Sequence, residues 1–535
     1  MRTFLYYTLF AALLLTGLSG CEKNFLEQDN PTATTDNKWW QLESQLKAAL
    51  NDIYSGLPSG TYSYMPDARM HMAGITDEAI HAGNFGDWRN YPLGLSNSQT
   101  GSARDLYALY YTNIRRACRF LEHYQTAYVE NAAFKTRYAY EARAVRAWYH
   151  LQLFLMYGPI PIVDHALLPA ESMAARNSKE EVVKFIATEL DSCAANLPDQ
   201  YDNDDAWRMS KGACYAMQSI LYINAGDYPN AAVAAKKVID MKVYELHQSN
   251  SSTNSYVDLF SYNGLINKER ILFKPRAQVE VFFRNAPKSL GCQAATNPTA
   301  AIVNTYETLQ GKTIRELGTD SFLVYQKDPG FKGNRDPRLF ASVLLPGDVF
   351  VNRKLLPFDR ATAGNPDLIG QPQSTVTGFW MKKYLDPKDA SSTYSGNLNF
   401  MIIRYAEVLL NYVEGLIESG QSQNPDVLLY LNKIRQRAGM PAVNAAVYNN
   451  ADKLRELVRR ERQVELAFEG QRIFDIRRWK IGTVLNGPVE GAVDPATGKP
   501  VIVEERKFNA AKDYLWPIPL DELNANPNMV QNPNW

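Results

Sequence analysis

Residues 209–241 read MSKGACYAMQSILYINAGDYPNAAVAAKKVIDM. Met209, Ala213, Met217, Ile220 and Leu221 recur at three- and four-residue steps, the spacing of one apolar helix face. The run closes at Ala225-Gly226-Asp227-Tyr228, and a second helical pattern starts at once through Ala231, Ala235, Val238 and Ile239. Neither helix can bury its apolar face alone, so the sequence predicts a helical hairpin that stacks on neighbours.

Two such helices in about 34 residues resemble a tetratricopeptide unit. The pattern recurs on both sides. Leu106, Leu109, Tyr110, Ile114, Ala117 and Leu121 mark a helix from Arg104 to about Tyr128, and Ala142, Val145, Tyr149, Leu153 and Met156 mark another from Phe134 to Tyr157. Ser178-Lys179-Glu180-Glu181 fits a capping box, followed by Val182, Phe185, Ile186, Leu190 and Cys193 on one face. Val408, Leu409, Tyr412, Val413, Leu416 and Ile417 form a later stripe. Val427, Leu428, Leu431 and Ile434 follow, ending at Gly439. The expected fold class is mostly α, a tetratricopeptide-like helical-hairpin scaffold.

From about residue 242 to 400 this period weakens. Gly, Pro and Asn are frequent, and Val279-Glu280-Val281-Phe282-Phe283 reads as a short strand. The stretch is expected to be an irregular, loop-rich, ligand-facing lobe on the scaffold, with a smaller irregular region from Ser55 to Gly101. Loops on a rigid frame are where binding residues concentrate.

The N-terminus is a separate matter. Met1-Arg2, an apolar run from Phe4 to Leu18 and Leu18-Ser19-Gly20-Cys21 match a bacterial lipoprotein signal peptide. Residues 1–20 would be removed, Cys21 would carry lipid, and residues 21–38 would be a polar tether ahead of a domain over 39–535. Trp39-Trp40 would staple that tether to the body. No later stretch has 18 consecutive apolar residues, so the protein is expected to be anchored rather than spanning.

The 535 residues hold 57 Lys+Arg and 57 Asp+Glu, and this balance argues against a nucleic-acid partner. HExxH, GxSxG and GxGxxG are absent. Asp202-Asn203-Asp204-Asp205 lacks the glycine and closing glutamate of a calcium loop. His71 and His81, ten apart in a loop-rich region, give no ground for a ligand pair. Cys118, Cys193, Cys214 and Cys292 have neither zinc nor redox spacing and read as buried free thiols, although an exported protein could hold bridges. No metal or cofactor is expected. A segment from Leu454 to Lys480 interleaves Arg455, Arg459, Arg460, Arg462, Arg472, Arg477 and Arg478 with Glu456, Glu461, Glu465 and Glu469. It reads as a paired structural helix rather than an anion site, with Glu456–Arg460 and Arg462–Glu465 pairs and Glu461 as a buried network residue.

Several stretches together resemble the SusD/RagB family of outer-membrane nutrient-binding lipoproteins. They are Glu141-Ala142-Arg143-Ala144-Val145-Arg146-Ala147-Trp148-Tyr149-His150 with Tyr157-Gly158-Pro159-Ile160-Pro161, and Ile403-Arg404-Tyr405-Ala406-Glu407-Val408. Arg435-Gln436-Arg437-Ala438-Gly439, Glu461 to Gly470 with Asp475-Ile476-Arg477-Arg478-Trp479, and the Trp516-Pro517-Ile518-Pro519 tail complete the set. The resemblance implies four tetratricopeptide-like helix pairs and a surface-exposed lipid anchor in the outer membrane. It also implies capture of glycan without cleavage for delivery to a SusC-like TonB-dependent transporter. The alternatives are a RagB-like peptide-binding lipoprotein of the same fold and a surface glycoside hydrolase. The family's sugar contacts lie in variable loops, so only Cys21 is carried over by motif.

Sugars present apolar C–H faces ringed by hydroxyls, and aromatic rings with Asp, Asn or Arg satisfy both. Trp88 is therefore the expected platform, with Asp77, Asn84 and Arg89 as polar partners and Tyr306 and Trp380 as further rings from the lobe.

Overall fold

The computed structural model describes residues 39–59, 69–82, 86–249, 255–277 and 279–535. Cys21 and Asn84 lie outside the described residues. The scaffold helices are α1 (Glu43–Ser55), α2 (Gly101–His123), α3 (Ala132–Tyr157), α4 (Lys179–Asn196), α5 (Lys211–Ala225), α6 (Tyr228–Met241), α7 (Tyr405–Glu418), α8 (Pro425–Arg437), α9 (Ala451–Glu465) and α10 (Arg472–Arg478). From α2 to α8 each helix packs on the next, and α9 packs on α7. This is the stacked-hairpin scaffold.

Local signals place the ends. Ser178 Oγ accepts the Glu181 N–H at 3.2 Å while the Glu181 carboxylate accepts the Ser178 N–H at 2.8 Å, which closes the first turn of α4. Gly226 ends α5 at φ +82°, and Asp227 then caps α6 by accepting the Asn230 N–H at 3.3 Å. At the N-terminus the Trp40 ring stacks on His123 at 5.2 Å and meets Phe120 edge-on. Cys118, Cys193, Cys214 and Cys292 are buried free thiols. Burial pushes the Cys193 and Cys292 thiols up to about 12. Among the described residues no helix is long and apolar enough to cross a membrane.

Two antiparallel ribbons tie the irregular middle to this scaffold. β2 (Arg270–Lys274) pairs with β4 (Phe400–Arg404), which runs directly into α7. β1 (Ala79–His81) pairs with β3 (Thr296–Pro298), drawing the early loop onto the lobe. A third, formed by β5 (Gly487–Asp494) and β6 (Lys499–Arg506), follows α10. The expected strand at Val279 to Phe283 is instead the short helix Val281–Asn285, whose Asn285 side chain donates back to the Val281 carbonyl at 3.1 Å. Burial of Val281 and Phe282 overrides the strand propensity of the stretch.

The lobe and scaffold meet at a buried ion network. Arg404 donates to Glu269, Glu465 and Glu469 at 2.7–2.8 Å, and Arg338 to Asp336, Glu461 and Glu465 at 2.6–3.0 Å. Arg437 engages Glu269 and Glu465, Lys383 engages Glu469, and Arg435 and Arg460 share Glu307. Six cations face six carboxylates. Burial pushes the Glu465 carboxyl up, but Arg437, Arg404 and Arg338 outweigh it and hold it far below the usual range. Glu461 is a network residue, as expected. The expected neighbours on α9 are not partners: Arg460 reaches Glu307 and Arg462 reaches Asp475, because long-range carboxylates present better-buried acceptors than the exposed Glu456.

Candidate functional site

Thr76-Asp77-Glu78 leads into β1, and the β1–β3 pairing sets Asp77 beside Thr299, whose hydroxyl donates to the Asp77 carbonyl. Arg472, at the start of α10, clasps the Asp77 carboxylate with two hydrogen bonds of 2.8 and 2.7 Å, and Gln463 adds a third at 3.2 Å. Burial pulls the Arg472 guanidinium down, and Asp77 more than restores it. Arg506, closing β6, donates to the carbonyls of Thr76, Gly74 and Ala79 and so fixes the loop backbone. Glu78 points inward instead. Burial, reinforced by the neighbouring Asp77 charge, pushes its carboxyl up to about 8, while it accepts the Phe468 N–H at 3.1 Å.

Beside Asp77 opens a cavity of about 570 Å³. One wall comes from the lobe through Thr299, Asn304 and Arg315; another from α9 through Arg459, Arg460 and Gln463. The third is Trp479 with residues 481–490 beyond α10. Most of its charges are spent. Arg460 binds Glu307 at 2.8 Å and the Tyr448 hydroxyl at 2.6 Å. Trp479 donates to Glu414 at 2.6 Å, and its ring is flanked by Arg459, Arg472 and Arg478 guanidiniums at 4.6–5.9 Å. Three lining side chains, Asn304, Arg315 and Glu490, have no hydrogen bond or ion pair among the described residues; Arg315 lies only over the Phe322 ring, at 4.4 Å. Val484, Pro488 and Val489 add an apolar strip between them. Unspent polar side chains around an apolar strip suit a ligand that is itself hydroxyl-rich with apolar faces. Among the described residues no histidine, cysteine or serine lines the cavity, and the lining carboxylates are Asp77, held by Arg472, and Glu490.

Of the expected site residues that lie among the described residues, Asp77 alone lines this cavity. Arg89 is turned aside to Glu504 at 3.1 Å. Trp88 is 8% exposed and is wedged edge-on between His71 and Trp516, at 5.6 and 5.7 Å, with Tyr91 beside it. Tyr306 and Trp380 are fully buried. None of these three rings offers a face to a ligand. The reason is that one continuous hydrophobic core runs from the scaffold through the early loop and the lobe and absorbs the aromatics. His71 and His81 also sit in that core, 5.4 Å apart ring to ring, with burial holding His81 down to about 4. The cavity residues missed by sequence, Arg459, Arg460, Gln463, Arg472 and Trp479, lie in the motif segments read as purely structural. The available signal was that Leu454 to Lys480 carries more arginines than its own glutamates can pair.

A family model described as SusD family matches residues 242–535, and one described as starch-binding associating with outer membrane matches residues 24–223. The chain belongs to the SusD family. SusD-like protein P2 of Formosa agariphila is 24% identical, over 98% of this chain and 99% of the relative. A SusD-like protein of Bacteroides ovatus is 20% identical, over 86% of this chain and 80% of the relative. Among solved structures, a SusD-like carbohydrate binding protein of Bacteroides fragilis superposes with a TM-score of 0.82 at 28% identity. It covers 92% of this chain and 99% of its own. A laminarin-binding SusD-like protein shares the fold at 18% identity and a TM-score of 0.68, covering 92% of this chain and all of that one.

Proposed function

We propose that this SusD-family chain is a non-catalytic, cell-surface, lipid-anchored glycan-binding protein, tethered through Cys21 in the outer membrane. It captures oligo- or polysaccharide in the cavity beside Asp77 and passes it to a SusC-like TonB-dependent transporter. The observation that carries the reading is the cavity itself: about 570 Å³, an apolar strip, and Asn304, Arg315 and Glu490 left unspent around it. The volume accommodates a short run of sugar units, and the unspent groups supply donors and acceptors for hydroxyls. Family membership and the carbohydrate-binding description of the Bacteroides fragilis relative support the ligand class.

The test is a glycan screen followed by calorimetry with the protein and its Asn304→Ala and Arg315→Ala variants. Each truncation removes about one hydrogen-bonding group, so affinity should fall roughly tenfold. The bound oligosaccharide should keep its ends, with no new reducing sugar. Unchanged affinity in both variants would place the ligand elsewhere, and new reducing ends from pure protein would make it a hydrolase. Saturable binding of an oligopeptide mixture, with no saturable binding of any glycan, would favour the peptide-binding reading.

A further inference from the structure

A second pocket, about 320 Å³, lies on the other side of α10 from the cavity. The end of α3, the start of α4, the end of α5 and the turn at Tyr514-Leu515 enclose it. Among the described residues four cations line it, Lys179, Arg477, Arg478 and Lys480, and no carboxylate does. Arg478 is neutralised by Glu414 and Asp475. The other three have no ion pair among the described residues. Lys179 Nζ donates to the Ala225 carbonyl at 2.7 Å, and Lys480 Nζ stands 4.2 Å from the Tyr514 ring. Arg477 is 7% exposed; its guanidinium reaches only the Leu155 carbonyl, at 3.4 Å, and the Trp516 ring, at 5.4 Å, while its buried Nε has no partner.

This arrangement is costly as it stands. Burying a guanidinium without a counter-charge is unfavourable. Asp513 is a carboxylate whose charge acts on Arg477, but the two form no ion pair among the described residues, and burial pushes the Asp513 carboxyl up. Burial pulls Arg477 down to about 10; burial, then Arg477 and Lys179, pull Lys480 down. An anion seated among the three would relieve the burial and the mutual repulsion together.

We propose that this pocket binds an oxyanion, a sulfate, phosphate or carboxylate group, held by Arg477, Lys480 and Lys179. A guanidinium offers two parallel donors to such a group, and two ammonium groups add rotatable donors. The volume exceeds that of the anion alone, so one attached sugar unit fits as well, with Tyr228 and Tyr514 on the lining. The inference does not depend on the glycan reading of the larger cavity, and its failure leaves that reading untouched.

The test uses the full chain in detergent. Its melting temperature is followed against inorganic phosphate and sulfate, with sodium chloride at matched ionic strength as the control. A saturable rise beyond the chloride control is expected. Lys480→Gln and Lys179→Gln, both at exposed positions and so safe for folding, should each weaken the apparent affinity about tenfold, whereas Lys480→Arg retains it. Galactose 6-sulfate and glucuronate separate the sources. Tighter binding than the inorganic ions assigns the site to a charged sugar residue, and equal or weaker binding assigns it to a free anion; both support the site. A response that follows ionic strength alone, or undiminished binding in the Lys179→Gln/Lys480→Gln double variant, overturns it.

Discussion

Two cation clusters, one largely buried and one with a single buried member, are treated in opposite ways. Around Arg404 and Glu465, six cations meet six carboxylates at hydrogen-bonding distance, and the network locks lobe to scaffold. Around Arg477, three cations converge with no carboxylate on the pocket wall. Both draw on the same arginine-rich segment. What separates them is matching: balanced charge holds lobe to scaffold, whereas Arg477 is buried without a counter-charge, with two exposed lysines beside it.

The comparison can be broken most forcefully at Glu465. Glu465→Gln leaves Arg338, Arg404 and Arg437 short of one counter-charge, and the loss should be about 3–5 kcal/mol by urea denaturation. A variant as stable as the parent would mean that the network is not what binds the two parts. Glu78 offers the mirror case, an acid without a matched cation. Its folded pKa of about 8 stands above the ordinary value of 4.5. Between those two values the unfolded chain has released the proton and the folded chain still holds it, so stability falls as pH rises through that window. Glu78→Gln should remove this slope, gaining roughly 1–3 kcal/mol at about pH 8.5 and little at about pH 3, where both states are protonated. Equal slopes in denaturation series for the two proteins would refute the assignment. The smallest effect belongs to the unbalanced pocket. Without added oxyanion, Lys480→Gln should stay within about 0.5 kcal/mol of the parent, since no protein carboxylate loses a partner. A large loss would reveal a hidden counter-charge.

The scaffold was legible in the sequence because its signals are local. The Ser178–Glu181 box, Gly226 followed by Asp227, and the apolar stripes of α2 to α8 need only a few residues to declare themselves. Of the expected site residues that are described, only Asp77 reaches the proposed cavity. Whether an aromatic ring in a loop faces water depends on segments far along the chain: Trp88 is covered by Trp516, and Trp380 lies against Leu344 across a two-strand pairing. The partners of Arg460 and Arg462 were misassigned for the same reason. Neighbouring glutamates on α9 were visible in sequence, whereas Glu307 and Asp475 were not visible as neighbours.

The β1–β3 ribbon carries one further consequence. It brings residue 77 to residue 299, and the same cavity borrows from residues 459–490 and from Arg506 at the far end of the chain. Only a chain that holds both Asp77 and residues 299–506 can assemble its full lining. A ligand bound there would steady segments from both halves of the chain together rather than one corner of the molecule.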